Sequence, residues 1–395
     1  MTPRERLLTV LKGRVPDCVP VAPDISNMIP ARLTGKPFWR LYLYNDPPIW
    51  QCYIDAAKHF NIDALMDGYF PLAFPDEKDI LPWLRLPPTP EDQKQIIPAD
   101  QWQSFIVQKN PDRIVTQRSR TENARRIWEP RVCVYYVADA PTEWIPPARA
   151  ALPEIPERFQ PLEDVKPADT GQKGLARLKK MMADQGLVGV FLAKSLILQS
   201  EADIYKYYDR PDLHDYWAQK LVENVEKRFQ NIMAMDVKPD FICVGSSGTL
   251  IFQTVEIFRQ LAFPAVKRAI ELATDAGFPT HIHSCGPEKQ LVKIMAEETS
   301  LTVIDPLEIP PMGNCILTEI KKLYGDKIVL KGNLHTTEVM LLGSPETVTD
   351  TSKKAIDDAA SGGRFILSTG DQCGRDTPDA NLLAMIETAR TYGSY

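Results

Sequence analysis

In the second half of the chain, short apolar runs alternate with longer stretches of helical periodicity. The runs cover 187–192, 241–244, 280–282, 301–304, 328–330 and 365–367. The helical patterns fall at about 212–235, 262–276, 287–297, 315–324, 346–360 and 378–390. Strand followed by helix, repeated this often, predicts a parallel sheet with both faces covered. The N-terminal part adds a helix over 3–12, with Leu7, Leu8 and Leu11 as its apolar stripe and Gly13 as its stop. It also adds short strands at 18–22 and 62–66 and a weaker helical segment at 54–60. These supply the strands missing from a closed TIM-type (β/α)8 barrel of α/β class. An open doubly wound sheet is the alternative.

The middle has another texture. Seven prolines fall within the 28 positions 71–98, and seven more within 141–167, which excludes long regular elements there. Between them, 102–107, 113–117 and 132–137 have strand character, the first two separated by the turn Lys109-Asn110-Pro111-Asp112. A helix at 169–184 follows. The whole chain, 1–395, is therefore read as one barrel with a proline- and aromatic-rich β excursion at 71–167. Trp83, Trp102, Trp128, Tyr135, Tyr136 and Trp144 either line an apolar ligand cavity there or pack the strands.

Composition narrows the function. With 46 basic and 52 acidic residues the net charge is −6, without the basic excess of a general nucleic-acid binder. There is no run of about 20 apolar residues to span a membrane, and the first residues lack the pattern of a secretory signal. Seven dispersed cysteines suit a reducing, cytoplasmic setting better than a disulfide framework. No glycine-rich dinucleotide loop, phosphate-binding loop or Gly-x-Ser-x-Gly elbow occurs.

The sharpest chemical signal is His281-Ile282-His283-Ser284-Cys285-Gly286-Pro287, between an apolar strand and a helix. In a barrel this is the C-terminal mouth, where reactive groups gather. Extended backbone turns His283 and Cys285 the same way, with His281 deeper. The equivalent turn after 365–367 is Ser368-Thr369-Gly370-Asp371-Gln372-Cys373-Gly374. His283, Cys285 and Cys373 would suit Zn²⁺, leaving one position open, although burial alone also explains a free cysteine. Glu308 is a further donor or acid, with Asp305 beside it, and Asp67 is an acid at another strand end. Asn333 and Ser246 could contact a ligand or only close turns. Cys18, Cys133 and Cys243 read as packing residues.

The ordered set of motifs resembles the uroporphyrinogen decarboxylase-like superfamily. It comprises the opening Leu11-Lys12-Gly13-Arg14-Val15-Pro16-Asp17, His283-Ser284-Cys285-Gly286, Gly332-Asn333-Leu334, Gly343-Ser344-Pro345-Glu346, the loop 368–374 and Asp376-Thr377-Pro378. The resemblance implies a TIM-type barrel. True decarboxylases carry an arginine-rich segment resembling Arg-Gln-Ala-Gly-Arg-Tyr, which binds tetrapyrrole carboxylates. Here 23–32 does not match and offers only Arg32. The chain is closer in motif to the corrinoid-dependent methyltransferases. That branch implies zinc on His283, Cys285 and Cys373, and methyl transfer between a small substrate and cobalt. No Asp-x-His-x-x-Gly cobalamin motif occurs, so the corrinoid (cobalamin) is expected on a separate protein. The extended middle points to demethylation of a methoxylated aromatic or other small methyl donor. The resemblance also implies a homodimer. The alternatives are a lyase acting on a polycarboxylate and a non-catalytic ligand-binding barrel.

Overall fold

The computed structural model describes residues 1–68, 70–74, 86–94, 96–167 and 170–395; Trp83 and the start of the expected 169–184 helix lie outside them. The strands are β1 (Ala64–Met66), β2 (Gln103–Lys109), β3 (Arg113–Glu122), β4 (Arg125–Tyr136), β5 (Thr142–Ile145), β6 (Gln160–Pro161), β7 (Gly186–Phe191), β8 (Phe241–Cys243), β9 (Thr280–His283), β10 (Val303–Asp305), β11 (Val329–Leu334) and β12 (Phe365–Thr369). They form a seven-stranded parallel sheet in the order β1-β7-β8-β9-β10-β11-β12 and a five-stranded antiparallel sheet, β5-β4-β3-β2-β6.

Residues 19–22 bring the two edges of the curled parallel sheet together. Ala22 donates its N–H to the Leu367 carbonyl and Leu367 donates to Pro20, both at 2.9 Å. Toward β1, Asp63 donates to the Val21 carbonyl at 2.9 Å, and Val21 donates to the Asp63 carboxylate at 2.8 Å. The expected strand at 18–22 is thus reduced to an extended bridge, because Pro20 and Pro23 have no N–H to donate. The result is a distorted TIM-type barrel.

Alternation along the strands divides the interior into two levels. Ala22, Leu65, Leu187, Phe241, Cys243, Val303, Val329 and Ile366 form one apolar cluster, closed below by Leu7, Val10 and Leu11 of the first helix, Pro3–Leu11. Two residues further along the same strands stand Asp24, Asp67, Asp305 and Lys331. Gly189 occupies the matching place on β7, where a Cβ would lie 2.4 Å from the Phe241 ring. The opposite pleat face (Val188, Val190, Ile242, Ile282, Ile304, Leu330, Leu367) packs under the surrounding helices.

The expected helices lie within a few residues of their predicted bounds: His214–Ala234, Phe263–Asp275, Lys289–Glu298, Leu317–Tyr324, Pro345–Ala359 and Asp379–Thr391. Glu201–Asp209 is an additional helix, begun by a capping box in which Ser200 accepts from Asp203 N–H and Asp203 accepts in return. Among the described residues, no helix is long and apolar enough to cross a membrane.

The antiparallel sheet contains the expected β2–β3 hairpin, whose Asn110 side chain accepts from the N–H groups of Asp112 and Arg113 at 3.0 and 2.9 Å. Its aromatics are used within the sheet. Phe105, Trp128 and Phe159 pack edge to face, with Arg126 over Phe105 and Phe159, and Arg118 lies 4.6 Å above the Trp144 ring. The end of β4 reaches the barrel, where Phe38 donates to Val137 at 2.8 Å and Arg375 donates to Ala138.

Candidate metal centre at the barrel mouth

The upper level of the barrel is a network of buried charge. Lys331 on β11 donates to one oxygen of Asp305, and His281 Nε2 donates to the other at 2.9 Å. His283 Nδ1 lies 3.3 Å from that second oxygen, and His281 Nδ1 lies 3.4 Å from Asp67. Burial alone would raise the Asp305 pKa, but Lys331 and the two imidazoles hold it well below the usual carboxylate range. Burial would lower that of Lys331, but Asp305, Asp67 and Asp24 keep its ammonium above its ordinary value. Asp24 is pushed up to about 6 by burial and by the charge of Asp67.

His283 turns its other nitrogen toward the mouth. Nε2 is buried and has no hydrogen-bond partner; the carboxylate of Asp371 is 3.6 Å away. Among the described residues, two groups bring ligand atoms within 4.8 Å of one another: Asp24, His283 and Asp371, and Cys285, Glu308 and Asp371. Cys285, two residues after His283, is half-buried and carries a free thiol. Imidazole nitrogen, thiol sulfur and carboxylate oxygen are zinc donors, and an unpartnered buried ring nitrogen among them is what a metal would satisfy. The residues present fit the ion.

The sequence-predicted residues have distinct placements. Cys285 and Glu308 fall in one of the two groups and His283 in the other, with Glu308 accepting from the Gly286 N–H. Cys373 is fully buried on the same rim, outside both groups; burial first, then the charge of Asp24, pushes its thiol up to about 12. Asp67 faces His281. Asn333 is buried and donates to the Leu307 carbonyl at 2.9 Å, bracing the loop after β10. Ser246 is half-buried, its N–H held by Ser195 at 2.8 Å and its carbonyl by Thr249 at 2.9 Å. Sequence reasoning gave no role to Asp24, Asp371 or Lys331. Lys331 had one available signal, a charge within an apolar strand.

Residues 205–392 match the family Uroporphyrinogen decarboxylase (URO-D). This match covers 188 of the 395 residues, just under half of the chain. The chain is similar to the Methylcobamide:CoM methyltransferase MtbA of Methanosarcina mazei, 29% identical over 139 residues, or 35% of this chain and 37% of that protein. MtbA of Methanosarcina acetivorans is 26% identical over the same shares. The chain thus spans little more than a third of the length of these relatives in alignment. A solved structure, a methyltransferase from Methanosarcina mazei, shares the fold over 99% of both chains, with a TM-score of 0.58 and 15% identity.

Proposed function

We propose that this chain is a methyltransferase working with a corrinoid carried on a separate protein, and that His283, Cys285 and Cys373 hold Zn²⁺. Its substrate is a small methylated donor, such as a methoxylated aromatic. The observation that carries this reading is the uncommitted Nε2 of His283 beside Cys285, at the mouth of a barrel similar in sequence to methylcobamide-dependent enzymes. Bound there, zinc would supply Lewis acidity toward the heteroatom that carries or receives the methyl group. Asp305 fixes the His283 ring through Nδ1, so that Nε2 faces outward. Asp67, at the mouth beside His281, exchanges the proton that accompanies methyl transfer. Glu308 stands by as a carboxylate anchored on Gly286. Asn333 and Ser246 shape the rim. The protein works in the cytoplasm, in keeping with seven unpaired cysteines.

A polycarboxylate lyase would need cations facing the mouth. Lys331 is paired with Asp305, and Arg32 with Asp379. Neither supports that alternative.

The test is metal content of the purified protein and of Cys373→Ala, followed by methyl transfer assayed in both directions with a free corrinoid. About one zinc per chain, near none in the variant, and demethylation of a methoxylated aromatic by cob(I)alamin are expected. Methylation of a thiol from methylcobalamin, without any demethylation, would reverse the proposed direction. Wild-type protein that is folded and cannot be loaded with zinc would overturn the reading.

A further inference from the structure

We propose that a cleft on the flank of the barrel, lined by Lys36, Lys166 and Arg177, is a binding site for a phosphate monoester. It is separate from the metal centre, with which it shares no residue.

The cleft has a volume of about 610 Å³ and lies between residues 45–48, the start of helix Ile49–Phe60 and helix Gln172–Met182. That is within the range of roughly 300–1,000 Å³ in which small-molecule sites fall. Its remaining wall is Lys166 and Pro167, where the chain returns from the antiparallel sheet to the barrel.

Charge marks the cleft as an anion site. Among the described lining residues Asp46 is the one acid, and three cations share it. Lys166 donates to Oδ1, Lys36 Nζ stands 3.8 Å from the same oxygen, and Arg40 donates to Oδ2 at 2.7 Å. One carboxylate against three cations leaves two positive charges over in this cluster. Arg177 adds a guanidinium from the facing helix, 5.7 Å above the Trp50 ring. In a chain of net charge −6 this surplus runs against the overall balance. Lys36 and Lys166 are both exposed, and exposed pairs contribute little to stability, so their ammonium groups can turn from Asp46 to a ligand at small cost.

The ligand class follows from the geometry. Cations that converge on a single carboxylate suit one compact anion better than a dicarboxylate with its charges spread apart. A phosphate monoester carries about −1.5 to −2 at neutral pH, which matches the surplus. The volume leaves room for the organic group it carries, and Gln51 offers that group a neutral amide from the same wall.

Isothermal titration of the intact protein with glycerol 2-phosphate, and separately with inorganic phosphate, tests the assignment. The ester should bind at one site per chain, more tightly than the free ion. Lys36→Met should weaken it by about tenfold, the effect of losing about one hydrogen bond to a charged group. Arg177→Met should weaken it similarly and serves should the first variant fail to fold. Lys58→Met, an exposed lysine in the last turn of the same helix, should leave the affinity unchanged. Ester binding undiminished in both cleft variants would place the ligand elsewhere, at the metal centre for example, and overturn the proposal. Absence of saturable binding would overturn it too, and equal affinity for inorganic phosphate would overturn the ester as its ligand.

Discussion

His281 Nε2 and the Asp305 carboxylate meet at 2.9 Å inside the barrel, both side chains 1% exposed. This contact joins β9 to β10 at the level where the apolar interior gives way to charge. Lys331, from β11, balances the same carboxylate. Breaking a buried pair leaves its partner uncompensated, so Lys331→Met should cost about 3–5 kcal/mol in urea unfolding. A loss within about 0.5 kcal/mol, the scale of ordinary surface changes, would mean that Asp305 is satisfied by the imidazoles alone.

Asp63 closes the barrel. Fully buried, it accepts from Arg6 at 2.6 Å, Arg390 at 2.7 Å and the Val21 N–H at 2.8 Å. One side chain thus ties the first helix, the last helix and the bridging segment together. Asp63→Ala takes the buried carboxylate from Arg390, from one arm of Arg6 (whose other arm keeps Asp17) and from the Val21 amide, and should destabilise by about 3–5 kcal/mol. Amide exchange in 19–22 should rise with it. An unchanged denaturation midpoint would contradict this role.

Acid should loosen the bottom of the barrel. Burial alone would raise the Asp240 pKa, but Arg4 (2.7 Å) and Lys179 (2.9 Å) outweigh it and lower it. A carboxyl whose folded pKa is below its unfolded value contributes stability that is fully present above about pH 4 and is lost as pH falls through the folded value. The stability gap between wild type and Asp240→Asn should therefore be widest near neutrality and shrink below about pH 4. Melting temperatures of both proteins across that range measure it, and a constant gap would refute the coupling.

The first helix should behave as a plug. Leu7 is fully buried among the lower interior residues. Leu7→Ala should cost about 2–5 kcal/mol through lost burial and the cavity left behind. The zinc content of the purified protein should not change, since an apolar layer separates the helix from the mouth. Loss of zinc in a folded Leu7→Ala variant would show that the two levels are coupled.

The sequence by itself determined the elements and their order. Apolar runs and helical periods mark the strands and helices because burial follows each element's repeat, and Ser344 before Pro345 marks a helix start that the structure realises, its side chain accepting from Thr347 at 3.3 Å. The capping box at Ser200 and Asp203 was an equally legible start for the helix Glu201–Asp209, but that helix carries only a narrow apolar stripe. His283 and Cys285 were visible because their spacing is local. What only the tertiary structure decided is which distant groups meet them. Asp24 and Asp371 are separated by almost the whole chain and become neighbours because residues 19–22 lie beside β12 and close the sheet. Lys331 reads as an interruption in an apolar strand until Asp305 stands opposite it. Periodicity records which face of a strand is buried; which charges share that interior depends on closure of the barrel, a long-range event that no local pattern encodes.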